Sequence, residues 1–144
     1  MNQKTKSELN ALLDAYEKRR AEQANRTAEV VRQGSMFLSE FKRLRKDVIR
    51  LAMEEMASEL KGRGQDCKIS EADDPPSTTM SVSPGGRVST LSFAAADHRE
   101  KVIRHTDNLP GSQQLDSHEF LLSEIGRDTV EKEILGFLKV VFGS

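Results

Sequence analysis

The chain has 144 residues, 36% hydrophobic and 31% charged, with 22 Lys and Arg set against 23 Asp and Glu. That length fits one domain of ordinary size, and the near-zero net charge excludes a strongly basic nucleic-acid binder or a disordered polyelectrolyte. A single cysteine, Cys67, excludes an internal disulfide and a cysteine-rich zinc site, which fits a reducing compartment and makes the cytoplasm the expected location.

The first element is a long helix. Ser7 followed by Asn10 is half a capping signal, and a helix is expected to begin between Lys4 and Ser7. Steps of four and three then pick out Leu9, Leu13, Tyr16, Arg20, Gln23, Thr27, Val30, Gly34, Phe37, Phe41, Leu44, Val48 and Leu51. This is a heptad seam, apolar at both ends and polar at Arg20, Gln23 and Thr27. Gly34 weakens a helix by about 1 kcal/mol relative to alanine, so a kink near Gly34 is expected, dividing an arm over 1–34 from a domain over 35–144.

From Met36 to Leu60 the apolar stripe widens as Leu38, Ile49, Ala52, Met53, Met56, Ala57 and Leu60 join it, as in a helix facing a core. This core helix, 36–62, is expected to stop at Gly62 and Gly64, where glycine accepts the left-handed cap.

Beyond Gly64 the apolar period falls to two, and strands are expected at about 65–71, 77–83, 87–96 and 100–106. Cys67 and Ile69 share one face of the first strand. Asp73-Asp74-Pro75-Pro76 demands a surface connection, because proline supplies no ladder donor. Thr78, Met80 and Val82 alternate with Thr79, Ser81 and Ser83, and Pro84-Gly85-Gly86 is the turn of a hairpin. On the returning arm Leu91, Phe93 and Ala95 share a side, and Val88, out of phase, suggests a bulge. A fourth strand centres on Val102 and Ile103, and 118–124 suits a fifth short strand or a helical turn. Asp128-Thr129-Val130-Glu131 has capping-box spacing and opens a C-terminal helix over 128–142. The expected fold is α+β: a helical arm, an antiparallel meander of four to five strands and a C-terminal helix packed on the sheet.

No constellation reaches a named chemistry. Pro84-Gly85-Gly86-Arg87 is not a phosphate loop, since a strand follows it and no Lys-Ser/Thr pair does. Asp73 and Asp74 lack the companions of a calcium loop. His98, His105 and His118, with Asp97, Asp107 and Glu119, match no compact ligand spacing. Cys67 falls in phase with Ile69 on the core side of its strand and has no identified base. Neither a catalytic group nor a metal or cofactor is therefore expected, although a small metal-dependent enzyme built on the histidines stands as a third reading.

Two interaction surfaces remain. Leu9, Leu13, Tyr16, Val30 and Phe37 form a ridge suited to a protein partner or a second copy of the chain, which would make it a homo-oligomer through a coiled coil. Lys42, Lys46 and Arg50 share one face at helical spacing and suit nucleic acid or another polyanion, although Glu40, Asp47 and Glu54 are interleaved and no aromatic side chain accompanies them. No run approaches the roughly eighteen apolar residues of a membrane span, so no membrane partner is expected.

Overall fold

The computed structural model describes residues 2–96, 100–111, 115 and 117–143, with only the backbone at 30, 33 and 34. The fold is α+β, with helix α1 at Gln3–Leu44, a π-helical turn at Arg45–Ile49 and α2 at Arg50–Gly62. Five strands follow: β1 Cys67–Asp73, β2 Pro76–Val82, β3 Ser89–Ala96, β4 Lys101–Asp107 and β5 His118–Phe120, and α3 closes the chain at Arg127–Phe142. The contacts divide it into two compact units, Met1–Ser35 and Met36–Ser144.

The unit Met1–Ser35 is helical from Gln3 onward. Its cap is Asn2 and not Ser7: the Asn2 Oδ1 accepts the Thr5 N–H at 2.8 Å, satisfying one of the donors that a helix start leaves open. Gly34 lies inside α1 and does not end the helix, contrary to the break expected there. The irregular turn comes later, at Arg45–Ile49, where the Arg50 N–H reaches back to the Arg45 carbonyl.

That turn decides which side chains of the second unit enter its core. Phe37, Phe41 and Leu44 are buried at spacings of four and three, but the next buried residue is Ile49, followed by Ala52, Met53 and Ala57. A π turn holds one residue more than an α turn, so it advances the seam by one position. Of the expected seam residues, Val48 therefore moves to the edge of the core, half-buried, and Leu51 leaves it, 46% exposed. The stripe that widens in the sequence is thus a stripe that shifts.

The stop after α2 is as expected. Gly64 takes φ +80°, the Gln65 N–H donates to the Leu60 carbonyl at 2.9 Å, and the Gly64 N–H donates to the Lys61 carbonyl at 3.0 Å. This pair of bonds satisfies carbonyls at the helix end that have no partner further along the chain.

The sheet is an antiparallel meander in the order β1-β2-β3-β4-β5. Asp73 pairs with Pro76, so the Asp-Pro segment makes a tight turn and Pro76 itself opens β2. Thr78, Met80 and Val82 on β2, Leu91, Phe93 and Ala95 on β3, and Val102 on β4 point inward, where they meet Phe41, Ile49, Met53, Val130, Ile134 and Phe137 in one core. The opposite face carries Ser77, Thr79, Ser81, Thr90 and Ser92, all half-buried. Val88 precedes β3 and is 50% exposed, so it marks no bulge within the strand. The segment 118–124 divides into strand β5 and a one-turn 3-10 helix at Leu122–Glu124. The last helix begins after Gly126, and Asp128 lies in its first turn, not at the cap; a carboxylate there still favours the helix dipole.

One charge is buried between sheet and helix. Arg104 occupies an inward position of β4, is 7% exposed, and holds the Glu133 carboxylate of α3 at 3.2 Å. Removing Glu133 would leave the buried Arg104 guanidinium without this carboxylate, so the pair ties α3 to one register on the sheet.

Candidate interaction surface

From Asn2 to Ser35 every described side chain is exposed. The segment is helical because Ala, Leu, Glu, Lys and Arg dominate it, residues that lose little freedom in a helix. Leu9 is 42% exposed, Leu13 46% and Tyr16 53%, so all three predicted contact residues stand on the surface of this unit. Leu12, which the seam omits, is 63% exposed beside them, and Val31 is 64% exposed further on. Val30 is a predicted contact whose side chain lies outside the described residues. Phe37 is 6% exposed and packs in the core of the second unit, which leaves little of it for a partner.

Between the ridge and Val31 the surface changes character. Ala24 and Ala28 leave a shallow depression flanked by Arg20, Gln23, Thr27 and Arg32. Thr27 turns its hydroxyl back to the Gln23 carbonyl at 3.0 Å, and Arg32 pairs with Glu29. Arg19, Arg20 and Arg26 have no hydrogen bond or ion pair among the described residues.

The predicted polyanion face is less coherent than its spacing implies. Lys42 lies in α1, Lys46 in the π turn and Arg50 at the start of α2, so the steps of four no longer keep one phase. Arg50 holds Glu54 and Glu71, each at 2.8 Å, and these carboxylates raise its pKa above the ordinary arginine value. Arg43 pairs with Glu40, whose carboxyl it holds below the usual range. Arg45, 12% exposed, reaches the β1–β2 turn, donating to the Ala72 carbonyl at 2.8 Å and to Asp73 at 3.1 Å. Lys42 and Lys46 remain exposed.

The two described histidines, His105 and His118, do not converge. His98 and Asp97 lie outside the described residues. His105 pairs with Ser92 and His118 with Arg104, neighbouring positions of β4 that face opposite sides of the sheet. The His105 Nδ1 lies 3.0 Å from the Ser117 Oγ, and the His118 ring is 4.4 Å from that of Phe120. Among the described residues no group of three His, Cys, Asp or Glu side chains is placed to hold a metal ion. Cys67 is 3% exposed, and burial pushes its thiol pKa up, which disfavours the reactive thiolate.

Two arginines with structural roles lie outside the surfaces that spacing marks. No local signal in the sequence marks the reach of Arg45 to a turn 28 residues away. Arg104 did carry a signal, since it alternates in phase with Val102 and Thr106 on the inward face of β4. Among the described residues no helix is long and apolar enough to cross a membrane. Comparison with protein-family models, curated proteins and solved structures found no match to the chain.

Proposed function

We propose that this chain is a non-enzymatic protein-interaction module that pairs with another helix through the ridge of Leu9, Leu12, Leu13 and Tyr16. The observation that supports the reading is the coexistence of a regular helix with an unburied apolar ridge. Helices draw most of their stability from an apolar face laid against something, and four large side chains crowded within two turns are more than the scattered apolar residues of an ordinary surface. Val30 and Val31 would extend the same contact. The polyanion reading is weaker, because Arg50 is engaged by Glu54 and Glu71 and only Lys42 and Lys46 would remain for phosphates. The lone, buried Cys67 is consistent with a reducing compartment such as the cytoplasm.

Amide exchange of the full chain in its native lysate tests the proposal. Residues 9–31 are expected to be protected, and Leu9→Glu with Leu13→Glu to abolish that protection. Equal, rapid exchange in the parent and the double variant would overturn it.

A further inference from the structure

We infer that the helix lying on this ridge is an acidic helix of another chain and not a second copy of this one. The inference rests on the pairing reading above and adds the chemistry of the partner.

The heptad phase that places Leu9 and Tyr16 at d and Leu13 at a carries Arg20 to a, Gln23 to d and Thr27 to a. Arg19 and Arg26 fall at g, while Ala24 and Val31 fall at e. A parallel second copy in register would set Arg20 against Arg20 of that copy inside the seam. It would also turn Arg19 toward Ala24 and Arg26 toward Val31, neither of which accepts a hydrogen bond. An antiparallel copy centred on the same layers would set Arg20 against Gln23 and, twice over, Arg19 against Arg26. Either arrangement, running the length of the arm, brings like charges together or leaves guanidinium groups unanswered, and like-charge juxtaposition is how helices reject wrong partners.

These three arginines are also free to accept a carboxylate. Arg32, Arg43, Arg45, Arg50, Arg104 and Arg127 each hold one within the chain, whereas Arg19, Arg20 and Arg26 hold none among the described residues. A partner helix with Leu or Ile opposite Leu9, Leu13 and Tyr16, and Glu or Asp opposite Arg19, Arg20 and Arg26, answers both the ridge and the charge.

The test titrates the full chain with two four-heptad peptides identical at their leucine core. One carries Glu at the layer facing Arg20 and at its flanking positions, and the other carries Lys. Three charge pairs, two flanking the seam and one at the Arg20 layer, predict that the acidic peptide binds about tenfold more tightly, a preference that shrinks with added salt. Joint replacement of Arg19, Arg20 and Arg26 by Glu is expected to reverse the preference. By light scattering the parent chain is expected to be a monomer, and Arg20→Leu to raise its self-association at least tenfold by repairing the seam.

Equal binding of the two peptides would overturn the acidic partner. A parent chain that dimerises by itself and ignores the acidic peptide would overturn it in favour of a second copy, leaving the pairing reading intact. A monomer that binds neither peptide would overturn it together with the pairing reading. Binding of duplex DNA with the same dependence on the three arginines, and of no peptide, would assign them to phosphate instead and overturn it.

Discussion

Residues 3–35 and 36–62 carry the same kind of periodic pattern and both fold as helix, yet the first keeps every described side chain exposed while the second buries Phe37, Phe41, Leu44, Ile49, Ala52, Met53 and Ala57. The difference lies in what fills the seam. Two phenylalanines, Ile49 and Met53 supply a continuous stripe that can be covered by Leu91, Phe93 and Phe137, whereas Arg20, Gln23 and Thr27 interrupt the arm for three layers. A heptad pattern shows that a helix has a face. The composition of that face decides whether it joins a core within the chain or stays available for contact outside it.

The largest test of this contrast is Phe41→Ala. Its side chain is wholly buried, and its loss should cost about 3–5 kcal/mol, read as a large drop in the denaturation midpoint of the second unit. A smaller effect separates the π turn from the helix after it. Deleting the exposed Asp47 removes the extra residue and lets Leu44 and Ile49 meet the core at ordinary α spacing, at a cost of about 1 kcal/mol. Deleting the equally exposed Glu54 rotates Met56, Ala57 and Leu60 out of place and should cost about 2 kcal/mol or more. Chemical denaturation of the two deletion variants ranks them; an equal loss would break the account of the shifted seam. The smallest effect belongs to the arm, where Leu12→Ser should change the stability of the isolated chain by less than about 0.5 kcal/mol, since its side chain covers nothing within its own unit. A larger loss of thermal stability in the isolated chain would show that the ridge already has an internal partner.

Much of this architecture is legible in the sequence. The fall in period from 3.6 to two after Gly64 announced the sheet, Pro84-Gly85-Gly86 placed the β2–β3 hairpin, and Thr78, Met80, Val82, Leu91, Phe93 and Ala95 were identifiable as the inward face from alternation alone. The ridge was legible as well, because Leu9, Leu13 and Tyr16 declare themselves by spacing, though Leu12 escaped notice by falling at a flanking position. The polyanion face read poorly for a specific reason: spacing places three cations on one side, but it cannot report that Glu54 and Glu71 both reach Arg50.

By itself the sequence determined the kinds of element, their order and which face of each strand is apolar, because backbone preference and side-chain period are local properties. The tertiary structure decided the helical phase beyond Leu44. There Ile49 and Met53 had to meet the sheet while Arg45 gripped the β1–β2 turn, and one extra residue in a π turn reconciles those demands. It likewise decided that Arg104 would be buried against Glu133, since an ion pair between residues distant in sequence exists only once the elements carrying them have packed.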